Sequence, residues 1–183
     1  MRHNLEGATT ERLSFRKVTE DDFEMWLPFY SDETVIQNLG MTAIATAEER
    51  CRYWLNLTFE RYKNNLGGAY IVTEKATGII VGQSGLIVRN IDGILELEVT
   101  YSILPEHRGK GYASEAAQKC RDFAFEKEQA GSVISIINIH NTDSQKVAFQ
   151  NGMQIDKTTE FMEMPVQIFR INATVWNTIK KPS

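Results

Sequence analysis

Histidine and cysteine are scarce, at three and two in 183 residues. His3, His107 and His140 show no metal-ligand spacing with one another or with Cys51 and Cys120, so metal catalysis has no support and no metal is expected. The two cysteines form no C-x-x-C pair and read as buried structural thiols. No apolar run approaches the ~20 residues of a bilayer crossing, so no membrane partner is expected. Met1-Arg2-His3-Asn4-Leu5-Glu6 has no apolar segment after its charge and does not read as a secretory signal, which makes a cytoplasmic location the default. A basic surplus is also missing. Twenty Lys+Arg against 24 Asp+Glu give a net charge of −4, which argues against nucleic-acid binding and is compatible with cationic substrates such as amines. Repeats, low-complexity tracts and Pro/Gly/Ser-rich linkers are absent, so residues 1–183 are expected to form a single domain.

The hydrophobic pattern alternates between periods of two and 3.6 residues. Arg12 to Val18 alternates as a half-buried strand. Thr19 before Glu20-Asp21-Asp22 opens a short helix through Phe23, Trp26 and Phe29, and Thr46-Ala47-Glu48-Glu49 opens a second through Tyr53, Trp54 and Leu57. Three strands follow, at Ala69 to Glu74, Gly78 to Arg89 and Ile94 to Leu104. A long helix from Tyr112 to about Gln129 leads to an apolar strand, Val133 to Ile139. A short helix from Thr142 to Asn151 stops at Gly152, and the tail from Gln154 to Trp176 reads as two strands joined around Met164-Pro165. The order predicts a mixed α/β layer with an antiparallel meander. A βαβ crossover should set Ile94–Leu104 parallel to Val133–Ile139.

Chemistry concentrates in Pro105-Glu106-His107-Arg108-Gly109-Lys110-Gly111-Tyr112-Ala113-Ser114, between a strand and a helix. Gly109 and Gly111 allow backbone conformations closed to other residues. The open N–H groups at the helix start, with the helix dipole, suit an anion such as a pyrophosphate. Arg108 and Lys110 add positive charge. A tight turn with incidental basic residues fits the glycines equally well. Neither G-x-x-x-x-G-K-[ST] nor G-x-G-x-x-G is present.

The R-x-x-G-x-A spelled by Arg108, Gly111 and Ala113 resembles the acyl-CoA pyrophosphate loop of the GNAT superfamily, the acetyl-CoA-dependent N-acetyltransferases. Thr10-Glu11-Arg12-Leu13-Ser14-Phe15-Arg16, Leu97-Glu98-Val99-Thr100-Tyr101 and Gly109 to Ala116 resemble the branch that holds ribosomal-protein-alanine acetyltransferases. Asn141-Thr142-Asp143-Ser144, with Gly152 eight residues after the serine, is similar to a second CoA-contact motif. The resemblance implies a mostly antiparallel sheet of about seven strands, with about four helices on both faces and a V-shaped splay between the two parallel strands. It also implies acetyl-CoA as co-substrate and an amine-bearing acceptor, either a protein N-terminus or a small amine, in a monomer or homodimer. Tyr101, Ser102 and Ile103 would then offer a strand edge to the pantetheine arm, and Arg108, Gly109, Lys110, Gly111, Tyr112, Ala113 and Ser114 would hold the pyrophosphate. Asn141 and Ser144 would bind the arm, although both are equally competent as helix caps.

Acetyl transfer needs a proton acceptor for the amine. Strand parity puts Glu96, Glu98, Thr100 and Ser102 on one face and Leu95, Leu97, Val99, Tyr101 and Ile103 on the other. Buried carboxylates are costly without a purpose, and Glu98 is nearest the thioester position that the resemblance implies, so it is the candidate base and Glu96 the reserve, the other reading being a solvated sheet face. Where many relatives place a Tyr acid on the helix after Asn141, this chain has Ala148 beside Phe149. Tyr101 faces the other way and His107 suits a solvated loop, so the leaving thiolate would take its proton from solvent. The missing Tyr also leaves open a non-catalytic acyl-CoA-sensing module.

Overall fold

The computed structural model describes residues 3–179. Seven strands form one sheet in the order β1-β2-β3-β4-β5-β7-β6. They are β1 (Leu13–Lys17), β2 (Gly67–Glu74), β3 (Ile80–Ile91), β4 (Ile94–Ile103), β5 (Ser132–Asn138), β6 (Gln154–Phe161) and β7 (Met164–Asn172). All neighbours are antiparallel except β4 and β5, which are parallel and share a single register pair, Glu98 with Ile134. From that pair the strands part, as a βαβ crossover in an otherwise antiparallel sheet allows.

One face carries α1 (Phe23–Trp26), α2 (Glu33–Leu39) and α3 (Ala47–Lys63). Trp26, Phe29, Tyr30, Val35, Ile36, Trp54 and Leu55 pack there onto Ile71 and Leu104. The other face carries α4 (Tyr112–Glu126), α5 (Thr142–Gln150) and α6 (Ala173–Ile179). Here Ala116, Ala117, Cys120 and Ala124 let α4 lie close against Leu86, Leu97 and Val99. Cys51 and Cys120 are both buried and free, and Thr46 forms a capping box with Glu49.

Six α-helices are found among the described residues where about four were expected. α2 was not foreseen. Asp32 caps it by accepting from the Thr34 and Val35 amides, and Gly40 ends it in the left-handed region. α6 takes the segment around Trp176 that the alternating pattern gave to a strand; Trp176 stacks on Phe125 at 5.2 Å. The first helix is broken into short turns around Pro28, whose ring cannot continue a helix. The β6–β7 turn sits at Met162-Glu163, both with positive φ, instead of at Met164-Pro165.

Candidate active site

Backbone conformation shapes the loop after β4. Gly109 (φ +77°) and Gly111 (φ +81°) occupy the left-handed region, and no side chain caps the start of α4. The first-turn N–H groups therefore lack a side-chain cap and are open to an anion, with the helix dipole behind them. The β1 end braces this turn from outside. The Arg12 guanidinium donates to the Lys110 carbonyl (3.0 Å) and pairs with Glu115 (2.6 Å), which also accepts from Thr10. Burial alone would raise the Glu115 carboxyl, yet the hydrogen bonds from Thr10 and Arg12 hold it below the usual range. Tyr112 anchors the first turn by donating its hydroxyl to Glu74. Sequence reading missed the whole brace; Arg12 and Glu115 lie 103 residues apart and have no local pattern in common.

The loop opens onto a cleft of about 590 Å³ between the parting strands. The Ser135 hydroxyl donates to the Val99 carbonyl (2.8 Å) across the fork, so the open edge begins beyond Val99. Tyr101, Ser102 and Ile103 line the cleft from β4, as do Arg108, Gly109, Gly111, Tyr112, Ala113 and Ser114. Lys110 is the one residue of the set expected to bind the cofactor that does not line it. The Arg108 Nε donates to the Ile103 carbonyl (3.2 Å), which ties the loop to the strand end. Ser114 donates to the side-chain oxygen of Gln150 (2.5 Å), joining α4 to α5.

Asn141 and Ser144 also line the cleft. The Asn141 carbonyl oxygen accepts from the Ser144 amide (3.1 Å), so it caps α5. The Tyr101 hydroxyl donates to the Ser144 carbonyl (2.9 Å) on the α5 side of the sheet. Burial, with the charge of Glu98 adding to it, holds that phenol well above its ordinary range. Ala148 is fully buried, and Phe149 packs edge-on against Phe169.

Glu98 lines the cleft where the strands divide and is 5% exposed. Its Oε2 accepts from Arg89 Nε at 2.6 Å, leaving Oε1 without a hydrogen-bond partner among the described residues. Arg89 in turn lies 5.6 Å over the Phe161 ring. Glu96 shares the face, but lies outside the cleft: Arg170 holds it by two bonds of 2.7 and 3.0 Å and also reaches Asp156. No group of three or more His, Cys, Asp or Glu that could hold a metal occurs among the described residues.

A family model described as an acetyltransferase (GNAT) domain matches residues 12–154. YkkB of Bacillus subtilis is 30% identical over 122 residues, which cover 67% of this chain and 71% of YkkB. The Bacillus licheniformis protein p20, described as an uncharacterized N-acetyltransferase, is 26% identical over 147 residues, 78% of this chain and 79% of its own. A crystal structure of an acetyltransferase from Agrobacterium tumefaciens has the same fold, with a TM-score of 0.78 at 23% identity over 92% of this chain and 95% of that one. With the family match running from β1 to the start of β6, over the glycine turn and the forked strands, the chain belongs to the GNAT family as an acetyl-CoA-dependent N-acetyltransferase.

Proposed function

We propose that the protein transfers an acetyl group from acetyl-CoA to a primary amine by direct attack, with both substrates bound at once in the forked cleft. One observation carries the reading: an uncapped helix start behind two left-handed glycines opens into the same cleft as a buried carboxylate with one free oxygen. The first-turn amides of α4 and the Arg108 side chain would hold the diphosphate. The strand edge from Tyr101 to Ile103, left without a partner strand, would pair with the amides of the pantetheine arm, and the Asn141 amide nitrogen would donate to it. Acetyl-CoA supplies an activated thioester carbonyl.

The residues then act on the amine. Glu98 accepts its proton through Oε1, directly or through a water, as nitrogen bonds to the carbonyl carbon and the carbon–sulfur bond breaks. Arg89 holds Glu98 in place through Oε2 and leaves Oε1 toward the cleft. The Tyr101 hydroxyl is bound to the Ser144 carbonyl, so solvent protonates the departing thiolate. Titration calorimetry with acetyl-CoA, followed by thiol release in the presence of a mixed amine panel, tests the reading. Micromolar binding with amine-dependent thiol release is expected. Binding without turnover of any amine would leave a sensing module, and absence of binding at millimolar ligand would end the reading.

A further inference from the structure

Beyond Glu98 the cleft runs between α2 and the β6–β7 turn. Phe29, Val35 and Leu39 form one wall, and Phe161, Met162 and Met164 form the other. α2 ends hard against this second wall, since a Cβ on Gly40 would stand 2.7 Å from the Met164 methyl. Charge does not balance toward the negative here. Two carboxylates line the cleft: Asp143, paired with Lys146 on α5 at 2.9 Å, and Glu98, neutralised by Arg89 at 2.6 Å. A second ammonium entering this half would lose hydration and find no carboxylate beyond the paired Glu98 and Asp143 to replace it.

The turn is a second, independent observation. Met162 (φ +51°) and Glu163 (φ +60°) both lie in the left-handed region, in a two-residue hairpin loop where Asn-Gly is favoured. Non-glycine residues held there carry strain, and such strain gathers at ligand sites. Core packing does not explain it, because Met162 is 48% exposed. The strained turn instead presents an unbranched, adaptable apolar side chain to the cleft, opposite α2.

Resting on the acetyl-transfer reading above, we propose that the acceptor is an amine carrying an apolar group and no second positive charge, seated between α2 and the Met162 turn. The apolar group lies against Val35, Leu39 and Met162, and the amine nitrogen meets Glu98. Specificity then comes from removal of apolar surface from water and from the uncompensated desolvation of a second ammonium in a half whose carboxylates are already paired.

Thiol release from acetyl-CoA is to be compared for three acceptors: 2-phenylethylamine, an otherwise neutral short peptide with a free N-terminal leucine, and spermidine. At least one apolar amine should exceed spermidine in kcat/KM by about tenfold or more. Which of the two leads separates a small amine from a polypeptide terminus. The double variant Met162→Asn/Glu163→Gly relaxes the turn and deletes the apolar side chain. It should lose about tenfold on the favoured amine with KM for acetyl-CoA unchanged. A melting temperature at or above the parent's shows that the loss is not unfolding. Spermidine turned over equally well or better, no turnover of any of the three, or an unchanged apolar-to-spermidine ratio in the double variant each overturns the proposal. Failure to bind acetyl-CoA in calorimetry would instead bring down the reading beneath it.

Discussion

Glu98 and Glu96 were indistinguishable by strand parity, yet their surroundings separate them. Glu96 is gripped at both oxygens by Arg170, and Glu98 keeps one oxygen toward the cleft. A base contributes a hundredfold or more to such transfers. Glu98→Gln keeps the shape and a hydrogen-bond acceptor but cannot take a proton. It should lower kcat by about 100-fold or more and leave the acetyl-CoA Kd within about twofold; steady-state kinetics with calorimetry checks both, and full activity would remove Glu98 from the role. The alternation of β4 made the shared face legible. The partners were not, because Arg170 lies 74 residues from Glu96 and approaches only once β7 pairs with β5.

The glycine turn and α4 form one element, in which φ decides function. Gly111→Ala puts a Cβ on a left-handed residue, at a cost of about 1–2 kcal/mol, and 3.4 Å from Arg12 Nη2. The Arg12 end can yield, so it is the φ strain that favours a shifted turn with misaligned first-turn amides. A lower melting temperature and an acetyl-CoA Kd weakened by about tenfold are expected, read by thermal unfolding and calorimetry. This element was legible because two glycines, a strand before and a helix after stand together in ten residues. α2 was hidden for the opposite reason. Thr34, Val35 and Ile36 are β-branched and weak helix formers, so its stability comes from the Asp32 cap and from packing in the Trp26 cluster. The half of the cleft proposed for the acceptor is assembled from α2 and a strained turn, neither of which a periodic pattern marks. The site was thus readable where it depends on local backbone, and unreadable where it depends on tertiary assembly.

Across the whole molecule, two carboxylates pin the ends of β1, Glu115 from 103 residues away and Asp22 from six residues on. Glu115 ties α4 to the chain before β1, and Asp22 accepts two bonds from Arg16 (2.6 and 2.9 Å). Burial would raise Asp22 as well, but Arg16 and Thr19 hold it below its ordinary range. Both groups therefore have lower values folded than unfolded. Their contribution is complete above the unfolded values near ~4 and is lost as pH falls through the folded ones. Thermal unfolding should show a melting temperature that is flat above about pH 5 and drops below about pH 4, with a shallower drop in Glu115→Gln, which has one such proton fewer to bind. A slope unchanged by that substitution would count against the linkage. The sheet itself is two wings, β1–β4 and β5–β7, whose backbones share one register pair, bridged by the Ser135 hydroxyl at the fork and by side-chain pairs such as Arg170 with Glu96 on the closed side. It is built like a clothes-peg: the jaws can gape without tearing any continuous ladder, while the Ser135 stitch at the pivot sets how far a thin guest can be pushed between them.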